Sequence, residues 1–527
     1  MRFVTLYCWL TASFLLANDA YPPPRFTDSD RVRKLESVLP EVDQLFRGYA
    51  VDKKIPGLIW GIVIDGRLAH VESVGVRDLA SKDPITADTA FRIASMTKSF
   101  TALAILRLRD DGKLSLEDPV SKWIPEFAQM PLPTLDSAPI RIRQLLSHSA
   151  GFPEDNPWGD QQLSASDNDL TRWLRLGIPF STPPGTRYEY SNYAFGLLGR
   201  IVTKASGMPY ETYVKTELLA KLHMGKSTFN FSEVPAKNRA IGYRLLADGT
   251  YQEEPPLAQG VFGSAGGLLT TATDMGKYLA FHLSAWPPRD DVEDTPVRRS
   301  SVREMSHMWN PSNLTASISN GKVQAAETGY GYGLRITTDC RFDHVVGHGG
   351  GLPGFGSYMA WLPDYGVGMF AMATLTYSGP AQPINQAWDV LLKSGGLRKR
   401  ELPPSPALLQ TQTHILNLWK SWNDAEAKQI AAMNFFLDTP IAERRAQIQK
   451  LKEEVGECST SNAALIPENW LRGQFDMKCA KGSVAVFFTL APTSPPLMQH
   501  LAFRKIDSDN IRLGAPTGAP AGVVCTN

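Results

Sequence analysis

The strongest constraint on this chain is that strand-forming sequence sits at two widely separated places. Leu58-Ile59-Trp60-Gly61-Ile62-Val63-Ile64 runs through Asp65-Gly66 into an alternating apolar segment from Leu68 to Val76, which reads as a hairpin on an Asp-Gly turn. Strand character returns at Tyr330 to Ile336, Val345 to His348, Tyr358 to Leu362 and Val367 to Thr374, the last two joined through Pro363-Asp364-Tyr365-Gly366. The intervening sequence is largely helical in pattern to about Leu222. Gly266-Gly267-Leu268-Leu269 then leads into another helix, for which Thr273 or Asp274 is the expected N-cap. A helical stretch at Gln386 to Leu392 closes the region. A hairpin at one end, helices between and strands at the other predict one sheet completed by both ends of a domain, with a helical lobe inserted.

At 527 residues the chain exceeds one ordinary domain. Arg398-Lys399-Arg400-Glu401-Leu402-Pro403-Pro404-Ser405-Pro406 reads as a linker, because proline restricts the chain and the charges keep it solvated. The expected division is a first domain over 26–395, a linker over 396–410 and a smaller helical, then β, domain over 411–527. The first twenty residues stand apart. Met1-Arg2, an apolar run from Phe3 to Ala17 and the sequence Asn18-Asp19-Ala20 read as a secretory signal peptide cut near Ala17 or Ala20, so a secreted or periplasmic protein is expected. Removal of that segment takes Cys8 with it and leaves Cys340, Cys458, Cys479 and Cys525. An even number permits disulfides in three pairings. Cys458 with Cys479 is the expected pair, since both lie in one small region, and buried free thiols are the alternative. No metal site is expected, because neither the cysteine spacing nor the nine scattered histidines form a zinc pattern. Lys plus Arg number 54 against 53 Asp plus Glu. That balance offers no basic field for nucleic acid, and no segment beyond the signal is long and apolar enough to span a bilayer.

Phe91-Arg92-Ile93-Ala94-Ser95-Met96-Thr97-Lys98-Ser99-Phe100 places a hydroxyl and an amine three residues apart where a helix begins. Phe100, Leu103, Ala104, Leu106 and Leu108 then keep helical spacing until Asp110-Asp111-Gly112. Residues three apart share a helix face, so Lys98 can reach Ser95, with unpaired N–H groups nearby. The pattern alone is short. Ser319-Asn320-Gly321-Lys322 repeats it in a polar stretch that reads as a surface loop. The G-x-S-x-G elbow of His-assisted hydrolases is absent. Gly349, Gly351 and Gly354 match a dinucleotide-loop spacing, but Pro353 and the strand that follows disfavour it.

Two further stretches carry the right chemistry: Tyr188-Glu189-Tyr190-Ser191-Asn192-Tyr193, and Gly347-His348-Gly349-Gly350-Gly351 at the end of an expected strand. Ser95-x-x-Lys98, Tyr190-x-Asn192 and His348-x-Gly350, in that order, resemble the three-motif signature of the penicillin-recognising serine hydrolases. The branch the chain resembles is that of class C β-lactamases and their peptidase and esterase relatives. Leu145 to Gly151, Pro184-Gly185-Thr186 and Ser264 to Leu268 are similar to that family as well. The resemblance covers roughly Phe26 to Leu392 and stops short of the tail.

The resemblance implies an α/β (α+β), β-lactamase/transpeptidase-like domain with an antiparallel sheet and a helical lobe. It also implies an acyl-enzyme on Ser95, with Lys98 and Tyr190 relaying the proton. Relay requires that at least one of them be less protonated than a free pKa of about 10 dictates. The N–H groups of Ser95 and Gly351, beside Gly350, would form the oxyanion hole, and Asn192 would hold a substrate amide. His348 stands where β-lactamases of this branch carry Lys; it is mostly neutral at pH 7 and donates a hydrogen bond rather than a fixed charge. The His form looks more like the D-amino-acid peptidases and DD-peptidases. The expected activity is hydrolysis, without a cofactor, of an amide in a D-amino-acid peptide or a β-lactam. The alternatives are an esterase on the same scaffold and a binding or assembly protein that has lost catalysis. The tail carries no cluster of nucleophile, base and acid, and a structural or interaction role is expected for it, with an unknown partner.

Overall fold

A computed structural model describes residues 21–319, 322–461 and 463–506; the expected signal peptide lies outside the described residues. These residues form two compact units, one over 28–399 and one over 400–506 together with 21–27.

The first unit is built on helix α1 (Leu39–Asp52), strands β1 (Gly57–Ile64) and β2 (Arg67–Gly75), helix α2 (Thr97–Asp110), helix α3 (Asn192–Ser206) and helix α4 (Ala272–Ser284). Strands β3 (Asn310–Ser319), β4 (Lys322–Tyr330), β5 (Arg335–Asp339), β6 (Val345–Leu352), β7 (Phe355–Leu362) and β8 (Val367–Ala373) follow, then helix α5 (Ala381–Lys393). The eight strands pair in the order β2-β1-β8-β7-β6-β5-β4-β3, every ladder antiparallel. The early hairpin therefore joins the last strand of the domain, and the helical lobe enters between β2 and β3. Asp65 and Gly66 both take positive φ, as the tight turn of a twisted hairpin requires.

Both faces of the central strands are covered. Trp60, Ile62, Leu362 and Ala371 pack with Phe46 of α1 and Trp388 of α5 in one core. Ile59, Val63, Trp361 and Phe370 face a second core with Phe100 of α2 and Leu279 of α4. This double burial explains why β1 and β8 read as continuous apolar runs rather than alternating ones; every residue of each is buried.

Three local expectations change. The strand expected over Tyr330 to Ile336 is two strands, broken where Gly333 takes φ +69°. The hairpin β3–β4 ahead of it gave no apolar signal because it is a solvated edge, with Leu314 and Ile318 exposed. Its last pair is Ser319↔Lys322, so the second Ser-x-x-Lys begins and ends on paired strands, and its Asn320 and Gly321 lie outside the described residues. Helix α4 is capped by Thr271, whose Oγ1 accepts the Asp274 N–H at 3.2 Å, two residues ahead of the expected Thr273.

The second unit contains helices α6 (Pro406–Lys420) and α7 (Ile441–Val455) and strands β9 (Cys458–Ser459), β10 (Ile466–Asn469), β11 (Arg472–Cys479), β12 (Gly482–Leu490) and β13 (Met498–Ile506). Phe475 and Met477 of β11 and Val484, Val486 and Phe488 of β12 alternate into one core, the period-2 signature of a sheet with one covered face. A disulfide joins Cys458 to Cys479, which pair across β9 and β11. Cys340 in the first unit is disulfide-bonded too. The segment before the first unit belongs to the second. Arg25 and Glu401 exchange backbone hydrogen bonds at 3.0 and 2.8 Å, and Tyr21 packs 4.9 Å from the Trp470 ring.

Candidate active site

Ser95 lies in a one-turn 3-10 segment, Ala94–Met96, that feeds directly into α2. Ala94 immediately before it takes φ +48°, a left-handed conformation that costs a non-glycine residue about 1–2 kcal/mol. The turn is held from strand β6 and its neighbour. The Ser357 hydroxyl donates to the Ile93 carbonyl at 2.8 Å. A Cβ on Gly350 would lie 2.1 Å from that same carbonyl oxygen, so only glycine lets the strand approach the nucleophile turn this closely.

Lys98 is fully buried on the next turn. Its Nζ lies 3.0 Å from Ser95 Oγ, 2.6 Å from Asn192 Oδ1 and 3.0 Å from the Ala265 carbonyl, which occupies all three donors of an ammonium. Because lysine only donates, the oxygen of the Asn192 amide must face it. The amide nitrogen then donates to Asn156 Oδ1 at 2.6 Å. Burial pulls the Lys98 amine down to about 7 against the upward pull of Asp160, Asp155 and Glu154. The same burial acts oppositely on Tyr190. Its phenol is pushed well above the ordinary tyrosine value, although a hydrogen bond with Ser95 pulls the other way. Lys98 Nζ sits 4.8 Å from the centre of the Tyr190 ring.

Tyr190 is positioned by His148, from the Leu145 to Gly151 stretch. The His148 carbonyl accepts the Glu189 N–H at 2.9 Å and its Nδ1 accepts the Ser191 N–H at 3.1 Å. One residue thus fixes the backbone on both sides of Tyr190, and the two rings lie 4.4 Å apart. The start of α3 is held by Asp155, whose two oxygens each accept a backbone N–H at 2.7 Å, from Asn192 and Tyr193. A carboxylate satisfying the first N–H groups of a helix complements its dipole.

Beyond Gly347 only β7 pairs with β6, so Gly349, Gly350 and Gly351 present an unpaired edge to the cleft. His348 is buried, and both of its ring nitrogens are engaged within the protein. Nδ1 contacts the Gly349 carbonyl at 2.5 Å and Nε2 meets the Tyr330 hydroxyl at 2.7 Å. With a carbonyl able only to accept, Nδ1 carries the proton and Nε2 receives one from Tyr330. Burial, then Arg335 and Lys98, hold His348 well below the usual imidazole value. The hydrogen bond expected from His348 to substrate therefore has no donor left. The cation of this wall is Arg335, across the ladder from Gly347. Its side chain is open to solvent yet crowded by Tyr188, Tyr190, Tyr330 and Tyr358. That combination is expected at the floor of a concavity.

These residues meet in one cleft of about 480 Å³ that takes in Ser95, Asn156, Asp160, Tyr190, Arg335, His348, Gly349 to Gly351 and Tyr377. Asn192 and Lys98 stand just behind it. Sequence reasoning did not find Arg335, Asp155, Asn156, Asp160 or His148, because no spacing rule links them to the serine. The one available signal was the Leu145 to Gly151 stretch, which contains His148. Among the described residues no cluster of ligating side chains is able to hold a metal ion.

Comparison with known proteins shows the family and the fold. A family model described as Beta-lactamase matches residues 42–392. Protein flp of Staphylococcus aureus (strain COL) is 30% identical over 323 residues, 61% of this chain and 60% of its own length. The chain thus spans about three fifths of such relatives. Beta-lactamase-like protein 2 of Dictyostelium discoideum is 30% identical over 395 residues, 73% of this chain and 68% of that protein. The structure of an octameric penicillin-binding protein homologue from Pyrococcus abyssi matches in fold, with a TM-score of 0.58 at 22% identity, over 86% of this chain and 96% of that one.

Proposed function

The chain belongs to the beta-lactamase family, and from that premise we propose that it is an exported serine hydrolase that forms an acyl-enzyme on Ser95. The observation that carries this reading is the 3.0 Å approach of a buried Lys98 amine to Ser95 Oγ. An amine held near 7 is neutral in about half the molecules at neutral pH. In that form it takes the Ser95 proton as Oγ attacks a carbonyl carbon. Tyr190, kept protonated by its burial, acts as a donor rather than as the base. The N–H groups of Ser95 and Gly351 receive the oxyanion. Collapse breaks the C–N bond, the leaving nitrogen takes a proton by way of Lys98 and Tyr190, and water releases the acyl group.

The substrate is an amide of a D-amino-acid peptide, cleaved in the manner of a DD-carboxypeptidase or D-peptidase, or a β-lactam. Arg335 supports this choice, since a solvent-accessible guanidinium at the floor of the cleft suits a substrate carboxylate. The open edge of β6 suits an extended backbone. Incubation with a peptide ending in D-alanyl-D-alanine, with benzylpenicillin and with p-nitrophenyl butyrate tests the reading. D-alanine release or penicillin turnover that falls in Arg335→Leu is expected. Turnover of the ester alone, unaffected by Arg335→Leu, would make the protein an esterase.

A further inference from the structure

The cleft holds a second ionisable group, besides Arg335, that makes no hydrogen bond to Ser95 or Lys98. Asp160 is 8% exposed and lines the same space as Ser95 and Arg335. Among the described residues its carboxylate accepts one hydrogen bond, from the Tyr377 hydroxyl at 3.4 Å, beyond the usual O–H···O range. Asp155 nearby takes two backbone N–H groups at 2.7 Å, so its burial is compensated. That of Asp160 is not, and a carboxylate largely removed from water without strong donors is costly. Desolvation accordingly raises Asp160 to about 6. Lys98, the cation that acts most strongly on it, has its donors engaged by Ser95, Asn192 and Ala265.

Tyr377 adds a second observation. It takes φ +54°, a strained conformation for an aromatic residue that persists where surrounding structure imposes it and that clusters at ligand clamps. Its ring closes over Gly351, where a Cβ would come within 2.7 Å of it, and carries the hydroxyl toward Asp160. The carboxylate therefore faces the cleft beside an aromatic ring, a setting suited to an ammonium, which pairs with the one and lies against the other.

We propose that Asp160, with Tyr377, is the subsite for a free amine on the acyl-donor side of the substrate. The preferred substrates are then short, amino-terminally unblocked peptides. Arg335 would take the carboxylate and Asp160 the ammonium of one zwitterionic ligand. This inference rests on the acyl-serine reading given above.

The test compares D-alanyl-D-alanine with N-acetyl-D-alanyl-D-alanine. Dissociation constants are measured by calorimetry on full-length Ser95→Ala and on Ser95→Ala/Asp160→Asn, and a fluorophosphonate is applied separately to the wild-type chain. The free amine is expected to bind Ser95→Ala at least about tenfold more tightly than the acetylated form, as a charge-assisted contact allows. The ratio should fall to about one in the double variant and be partly retained with Asp160→Glu. Equal or tighter binding of the acetylated dipeptide overturns the proposal, as does a ratio that survives Asp160→Asn or binding of neither dipeptide. A wild-type chain that the fluorophosphonate leaves unlabelled instead removes the acyl-serine reading beneath it.

Discussion

The two units treat polar groups in opposite ways. The unit over 28–399 buries Lys98, His148, Asp160, Asp274, His282 and His348, whereas among the described residues the unit over 400–506 buries no ionisable side chain at all. Its buried polar residues are Ser405, Thr411 and Gln412. Its sheet is a clean alternation around Phe475, Val486 and Phe488, closed by Cys458–Cys479. Four of the buried groups in the first unit stand in or directly behind one cleft, where their titration is pulled far from ordinary values. Burial of that kind opposes folding and is expected where chemistry requires it. The contrast supports the proposal that any chemistry resides in the first unit.

The sharpest way to break this contrast is to remove the buried amine. Lys98→Met should lower the rate of Ser95 acylation by about 10²–10⁴-fold, the worth of a positioned base, measured by intact mass against time. A decrease below tenfold would mean that another group takes the proton. Gly350→Ala comes next. The added methyl meets the Ile93 carbonyl and displaces the nucleophile turn, which should cost about 10²-fold in kcat/KM with circular dichroism unchanged.

The pH profile sharpens the assignment of the base. Because Lys98 must be neutral to accept the proton and is lowered to about 7, kcat/KM should rise about tenfold per pH unit below that value and level off above it. A profile with no inflection near 7 would remove a lowered Lys98 amine as the base. The smallest effect on catalysis is expected from the other unit. Replacing Cys458 and Cys479 by serine opens a loop of sequence separation 21 and should cost that unit about 3 kcal/mol in denaturant unfolding. The Ser95 acylation rate should stay within twofold.

Sequence pattern sufficed for the topology because strand signals at 58–76 and 345–374 are strongly apolar, and their separation left one economical way to complete a sheet. It failed at β3–β4, where a solvated edge hairpin has no buried face to leave a period, and it ran Tyr330 to Ile336 together because Gly333 turns the chain within an apolar run. In the site, the three motifs located Ser95, Lys98, Tyr190, Asn192, His348, Gly350 and Gly351. Short motifs carry local geometry, and these residues sit at a helix start, a helix cap and a strand end. Arg335 and Asp160 escaped detection because they reach the cleft by tertiary packing. The hydrogen bonds of His348 to Tyr330 and Gly349 were equally illegible, and they move the question of substrate charge from His348 to Arg335.

The most direct test of the account is the intact mass of wild type and Ser95→Ala after exposure to a fluorophosphonate and to benzylpenicillin. The account predicts a single adduct on the wild type with at least one reagent and none on Ser95→Ala. An unlabelled wild type, or an adduct that persists on Ser95→Ala, would contradict it.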